Sequence, residues 1–381
     1  MKKLYYDSAY IRTFEAKVLS CAEGKKGYEV VLDQTAFFPE GGGQPYDTGV
    51  LGDVPVTAVH EKNGEIIHYT DAPLTVGETV TGEIDWERRF RNMQGHSGEH
   101  LVSGLIHAKY GYDNVGFHMG SEEITIDLNG LLEWEDLLEI EKKANRIIWE
   151  NREVYAGFPS AEELEKIDYR SKKELSGEIR IVRIPGGDTC ACCGTHVTRT
   201  GEIGMVKLLS VVKFREGVRM EMLSGKRVLD YLNMVNEQNR QISVKLSAKM
   251  DKTASAVARL QDENFALKGR VHALEEEFIV GEAAKWKEKE NVLLFQEGME
   301  AGSVQKLADA ILQVCKGRCA VFSRNADGSY KYAMGEKDGD LRQFTKEMNA
   351  ALNGRGGGKP FFVQGSVQAS EKEVRAFFEN K

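Results

Sequence analysis

Short stretches that alternate apolar and polar residues fill the first ninety positions, among them EAKVLSCAE, YEVVLDQTAF, VTAVHEK and EIIHYTD, separated by Gly, Asn and Asp turns. A period of two turns one face of each stretch toward a core, which predicts an antiparallel β-barrel or curved sheet over residues 1–90. The period then lengthens. Residues 86–110 read as a helix, and residues 133–152 as a second one with Leu137, Leu138, Ile140, Ala144 and Ile147 at helical spacing. Between them, residues 116–120 read as a turn and 123–128 as a strand. Further on, residues 178–184 predict a strand running into the Pro185-Gly-Gly187 bend, and 204–214 with 218–223 predict a hairpin turning at Arg215-Glu-Gly217.

From residue 226 to about 290 there is no proline, and Leu232, Val235, Ile242, Leu246, Met250, Val257, Leu260, Leu267, Val271, Leu274 and Phe278 recur mostly in steps of three and four. This is a heptad-like seam with a stutter near Met250, and Asn239 and Asn264 fall on it. It fits either a helical hairpin folded on itself or an intermolecular coiled coil. In residues 291–381 apolar strands (292–295, 319–323, 330–334) alternate with helical stretches (303–315, 340–352, 370–379), predicting a small α/β module. The expected fold class is therefore α+β in four parts: a β-barrel (1–90), an α/β domain (91–225), a long coiled-coil-like helical segment (226–290) and a C-terminal α/β domain (291–381).

The 381 residues, 41% hydrophobic and 29% charged, suit a folded protein of two or three domain-sized cores. No apolar run reaches the length of a spanning helix and no signal-peptide core follows Lys2 and Lys3, so a cytoplasmic protein is expected. Six cysteines in such a chain favour free thiols or metal ligands over disulfides. The net charge of −8 excludes a protein that coats nucleic acid non-specifically, so any nucleic-acid contact has to come from placed cations.

Two short motifs carry candidate chemistry. In His96-Ser-Gly-Glu-His100 the four-residue spacing sets both imidazoles on one helix face, while Glu99 is turned away from it. In Cys190-Ala-Cys192-Cys193-Gly-Thr-His196, Cys192 and His196 repeat that spacing, and Gly194-Thr195 is turn chemistry that lets two side chains converge. Together the pairs supply three nitrogens and one sulfur, a donor set suited to zinc. Cys190 and Cys193 compete for the sulfur position, and His107, two turns past His100, is too far along the helix. A further unusual stretch runs from Asp33 to Gly49, where Gly41, Gly42 and Gly43 allow close backbone approach and Gln44 offers both a donor and an acceptor.

Taken in order, Thr35-x-Phe-Phe-Pro-Glu-Gly-Gly-Gly-Gln44, His96-Ser-Gly-Glu-His100, Gly116-Phe-His118 and Cys192-Cys-Gly-Thr-His196-Val-x-x-Thr-Gly resemble the editing domain of alanyl-tRNA synthetase and its free-standing relatives, the AlaX editing proteins. The resemblance spans residues 1–225, and the run Gly354-Arg-Gly-Gly-Gly-Lys-Pro360 is similar to the DHH-associated domain shared by the synthetase and the long AlaX form. Cys193 departs from the family's usual Cys-Gly-Gly-Thr-His. The resemblance implies one Zn²⁺ on His96, His100, Cys192 and His196, and removal of serine, and possibly glycine, from mischarged tRNA(Ala) by ester hydrolysis. It implies Thr35 as the contact to the serine hydroxyl and Gln44 as the group orienting the ester or ribose. Amides near Gly42 and Gly43 would stabilise the oxyanion, His118 would touch the substrate or terminal adenosine, and Asp188 would receive the ammonium or fix a ligand histidine. Arg355 and Lys359 would bind tRNA, and a homodimer is possible. With the barrel starting at residue 1, no aminoacylation domain is expected upstream, so the chain should hydrolyse aminoacyl-tRNA without making it or using ATP. The competing expectation is a non-catalytic, zinc-stabilised tRNA-binding or scaffold protein.

Overall fold

The computed structural model describes residues 1–24, 27–171 and 177–381. The chain divides into two compact units, Met1–Arg240 and Gln241–Lys381. In the first unit the alternating N-terminal stretches form six strands. Thr13–Gly24 pairs with Gly27–Leu32 and Thr79–Ile84, and the ring closes through Glu65–Thr70, Val54–Lys62 and Gly49–Leu51 as a barrel. Its inward positions, including Val18, Val30, Leu32, Leu51, Val59 and Ile66, are the alternating apolar residues, almost fully buried, and Phe37 from the following segment packs into the same core.

The helix Trp86–Tyr110 leaves the barrel and becomes the axis of a second core. Asp85 caps it by accepting the Arg88 N–H at 3.1 Å. From Asn92 to Ile106 every residue is buried, so over that stretch the central helix has no solvent face. Around it pack Trp134–Trp149, the sheet ordered Val206–Phe214, Gly217–Ser224, Ile124–Leu128, Asn114–Met119, and the three-stranded sheet Tyr155–Gly157, Ile181–Ile184, Asp188–Ala191. The turn expected at 116–120 is part of the strand Asn114–Met119, because pairing with Ile124–Leu128 supplies the hydrogen bonds that glycine lacks the propensity to favour alone.

The helical segment expected over 226–290 is two helices, Lys226–Leu246 and Thr253–Ala284. Ser247 turns left-handed at φ 49° and Ala248 N–H donates to Ser243 O at 3.0 Å, the bond pattern that ends a helix and interrupts the seam beside Met250. In the second unit a sheet is ordered Val292–Glu297, Cys319–Arg324, Tyr330–Gly335, Phe362–Val367, Gly354–Lys359. Ala301–Val314 and the end of Thr253–Ala284 share one core, and the helices Leu341–Ala351 and Glu371–Glu379 contribute to the other. The glycine-rich run is thus an edge strand and not a loop, with Arg355 and Lys359, four residues apart, on the same side of it. Among the described residues no helix is long and apolar enough to cross a membrane.

Candidate metal centre

The central helix presents His96 and His100 one turn apart, and the segment after the strand Asp188–Ala191 brings Cys192 and His196 against them. Their donor atoms all lie within 4.8 Å of one another. Cys192 Sγ is 3.5 Å from His96 Nε2 and 3.4 Å from His196 Nε2. A tetrahedral zinc with Zn–S of about 2.3 Å and Zn–N of about 2.0–2.1 Å sets its sulfur and nitrogen ligands about 3.6 Å apart, so the spacing fits that ion.

Each imidazole is held at Nδ1. His96 Nδ1 faces Gln44 Oε1 at 2.8 Å, and that oxygen also accepts the Thr195 N–H at 3.1 Å while Gln44 Nε2 donates to Thr195 Oγ1 at 2.8 Å. These bonds fix the amide's orientation, so the His96 proton sits on Nδ1. His100 Nδ1 donates to Asp188 Oδ2 at 2.9 Å, and Arg170 closes on the same carboxylate with bonds of 2.8 and 2.9 Å. His196 Nδ1 meets Ser97 Oγ at 3.1 Å. With Nδ1 occupied on all three rings, every Nε2 turns toward the cysteine sulfur. Partners of this kind orient metal-binding histidines and set their tautomer.

The charge balance points the same way. Burial pushes the Cys192 thiol up, but the charges of His96 and His100 and hydrogen bonds from His100 and His196 outweigh it and hold the pKa well below the usual thiol value. For His100, burial opposes the charged form, and the Cys192 sulfur together with Asp188 and Glu99 carries it well above 6.5. His196 is pushed down to about 3, first by burial and then by His96. The Cys192 thiolate is ready for a divalent cation, which would take His100 Nε2 by displacing the proton that the thiolate otherwise holds there, so loading the site releases a proton.

Sequence spacing left the sulfur open among three cysteines. The fold selects Cys192, because Cys193 is exposed and Cys190 is buried beside His100 and Asp188. Arg180 fixes the loop by donating Nη1 to Cys192 O at 3.0 Å and Gly194 O at 2.9 Å. A Cβ at Gly194 would lie 2.1 Å from His96 Cε1, so only glycine lets this loop reach the imidazole.

The expectation for Glu99 is corrected. Expected to face away from the imidazoles, its carboxylate instead bends back beside one of them: it accepts from Ser103 Oγ at 2.7 Å and from Asn114, and its Oε2 lies 4.0 Å from His100 Nε2. Phe117 stacks on His96 at 5.4 Å, whereas His118, next along the pleat, is exposed on the opposite face and is not brought to the cluster. Gly43 has φ 83°, and a Cβ there would strike the Phe117 ring at 2.3 Å, so the glycine loop lies directly against the residue covering His96. Gly43 O also accepts the Met119 N–H at 3.2 Å. Gln44 is fully buried, with both ends of its amide committed to Thr195 and His96.

Thr35 is fully buried and bonds to His68, not to the cluster. His68 Nδ1 donates to Val30 O at 3.1 Å, which leaves Nε2 as an acceptor for the Thr35 hydroxyl at 2.8 Å, while Thr35 Oγ1 accepts the Phe37 N–H at 3.1 Å. Burial lowers the His68 pKa to about 4. The folded chain therefore holds His68 neutral, a stabilisation complete above about pH 6.5 and lost as pH falls toward 4. We expect about 2 kcal/mol of it to disappear between pH 7 and 5. Urea unfolding of the native chain and of His68→Gln at both pH values measures this, and equal losses in the two proteins would refute it.

Comparison with known proteins was consistent with this site. Residues 3–88 match the family model for tRNA synthetases class II (A), residues 179–226 the threonyl and alanyl tRNA synthetase second additional domain, and residues 289–380 the DHHA1 domain. Alanyl-tRNA editing protein AlaX-L of Pyrococcus horikoshii is 29% identical over 98% of this chain and 96% of its own length. The alanine–tRNA ligase of Pyrococcus furiosus is 32% identical over 98% of this chain, which spans only 43% of that ligase. Alanyl-tRNA editing protein Aarsd1-A of Xenopus laevis is 34% identical over 70% of this chain and 67% of its own. With relatives matched over these lengths, and the His96, His100, Cys192 and His196 quartet assembled in the fold, the chain belongs to the alanyl-tRNA editing protein family.

Proposed function

We propose that the His96, His100, Cys192 and His196 cluster holds one Zn²⁺ and that this chain uses the site to hydrolyse the ester joining serine, and secondarily glycine, to tRNA(Ala). Family membership makes the chain an aminoacyl-tRNA deacylase that acts on mischarged tRNA(Ala). The observation that carries the metal reading is the approach of His96 and His196 Nε2 to Cys192 Sγ at 3.5 and 3.4 Å, with a His100 donor within 4.8 Å of them, while each Nδ1 is tied to the protein. Bound there, zinc would supply Lewis acidity toward the ester carbonyl or a water.

The need for a second site is physical. A synthetic pocket shaped for alanine rejects serine or glycine weakly, because one hydroxyl or one methyl changes binding little in an apolar pocket, whereas a site that hydrogen-bonds the hydroxyl discriminates by orders of magnitude. Thr35 is our candidate for that reading. Its proton is committed to His68, so what it can offer a serine hydroxyl is a lone pair, which alanine cannot use. Thr35 is fully enclosed, so the serine side chain has to displace its neighbours to reach it.

Gln44 acts in this reading as a positioning residue through His96, and Asp188 does the same through His100. Backbone amides near Gly42 and Gly43 face the developing oxyanion. His118 is retained only as a contact to the adenosine from outside the cluster. Arg355 and Lys359, exposed on one side of an edge strand, supply cations for tRNA, and the four-part division with a second copy held through the long helices belongs to the same reading.

The test is to incubate the chain with Ser-tRNA(Ala), Gly-tRNA(Ala) and Ala-tRNA(Ala), with and without a chelator. Serine release that stops on chelation, with alanine spared, is expected. Tight tRNA binding without release of any amino acid would instead identify a non-catalytic binding protein.

A further inference from the structure

Arg88 and Arg91 stand one turn apart on the central helix, and Arg227 lies in the first turn of Lys226–Leu246. Gln94, three residues past Arg91, ties the two helices together. Its Oε1 accepts the Lys226 N–H at 3.3 Å, its Nε2 donates to Glu202 O at 2.9 Å, and its backbone carbonyl accepts from Ser224 Oγ at 2.8 Å. This docking sets Arg227 near Arg91 and Arg88, close enough that, after burial, their charges are the main influences lowering its pKa, with Glu122 opposing.

The three guanidinium groups are poorly satisfied. Arg227 donates Nη2 to Gly120 O at 2.9 Å, but its Nε and Nη1 are buried without a partner, as is Arg91 Nε. Arg88 donates Nε to Tyr46 O at 2.9 Å and lies 5.4 Å over the Tyr46 ring. Among the described residues none of the three is ion-paired; the nearby acids Glu87 and Asp230 turn to Lys226, at 3.9 and 3.0 Å. An unsatisfied buried donor costs about 1–3 kcal/mol, and more when charged. Like charges gathered together add to that cost, and basic residues in the first turn of a helix oppose its dipole. An anion would satisfy the donors that the protein leaves unpaired and offset the repulsion. Guanidinium forks beside a helix N-terminus match a phosphate.

The position identifies which phosphate. Gly120, which holds Arg227, follows the strand whose Phe117 covers His96, and Tyr46, which holds Arg88, follows the loop whose Gly43 abuts Phe117. One strand and one loop therefore join the cationic cradle to the metal-type cluster. We propose that Arg88, Arg91 and Arg227 bind a backbone phosphate of the tRNA strand that carries the aminoacyl ester, delivering its 3′ end to the cluster. The proposal rests on the editing reading above.

The experiment compares the full chain with Arg91→Gln/Arg227→Gln on Ser-tRNA(Ala) and on the serine ester of adenosine, which has no phosphate. The double variant should raise KM for the tRNA about tenfold or more with kcat retained, and lower the slope of log KM against log salt by roughly one to two. The KM effect should be absent for the adenosine ester. Thermal unfolding separates a structural role: removing unpaired buried charge should leave the melting temperature equal or higher. An unchanged KM and salt slope overturns the cradle, as does an equal loss on both esters. Filter binding of uncharged tRNA reads the cradle independently of hydrolysis. If the native chain cleaves neither ester, the editing reading fails, while weakened tRNA binding by the variant still supports the cradle and unaltered binding rejects it.

Discussion

Replacing His100 or Cys192 by alanine is expected to abolish deacylation of Ser-tRNA(Ala) and to strip zinc from the protein. Both donors belong to the quartet whose atoms lie within 4.8 Å of one another, so either change leaves three ligands around the ion. The effect should be graded outward from that quartet. Asp188 bonds to His100 Nδ1 and would act on the ion through that ring, and losing such a partner typically costs about 10–100-fold in metal affinity or activity. Asp188→Ala should therefore bind zinc weakly and recover turnover when zinc is added in excess, whereas Cys192→Ala should not. Metal content by elemental analysis, with turnover at low and high zinc, measures both. Full activity in a Cys192→Ala protein free of metal would overturn the assignment of the cluster to zinc.

Asp47→Ala should destabilise the first unit by about 3–5 kcal/mol, the largest stability effect we expect from one substitution. Asp47 and Arg89 are both completely buried. Arg89 Nε donates to both Asp47 oxygens at 3.0 and 2.9 Å, and its other nitrogens hold Ala9 O at 2.9 Å and Ala36 O at 2.5 Å. Asp47 Oδ2 also accepts the Phe38 N–H at 2.6 Å. The pair thus clamps both ends of the segment containing Thr35 and Gln44 onto the central helix. Removing the carboxylate strands a guanidinium in an apolar interior, whereas replacing both partners by apolar residues of similar size, as in Asp47→Leu/Arg89→Met, removes the uncompensated charge. The double variant should be less destabilised than the single one, as denaturant unfolding will measure. If the single variant unfolds like the native chain, Asp47 is not the clamp described here.

The same clamp illustrates what a linear reading misses. Asp47 and Arg89 each look like ordinary surface residues in the sequence, and only the packing of a loop on a helix makes them a buried pair. Thr35, by contrast, was conspicuous in its motif, yet its hydrogen-bond partner His68 sits on a barrel strand that no spacing rule connects to it. Glu99 was misplaced for a related reason: helix geometry gives the direction in which a side chain leaves the axis, but where a long one bends depends on its partners, and Ser103 and Asn114 hold this carboxylate with Oε2 4.0 Å from His100 Nε2.

Period-two and period-three-to-four patterns are local, and by themselves they determined the strands of the first ninety residues, the helices Trp86–Tyr110 and Trp134–Trp149, and the two His/Cys half-sites. Four motifs in fixed order also determined the family. Tertiary structure alone decided which of three cysteines meets the imidazoles, which groups hold Nδ1 of each ring, that residues 354–359 pair as an edge strand, and that Arg88, Arg91 and Arg227 converge. These outcomes depend on contacts between positions far apart in the chain, such as His96 and Cys192, 96 positions apart. Such contacts are fixed by how sheets and helices pack, which no local period encodes.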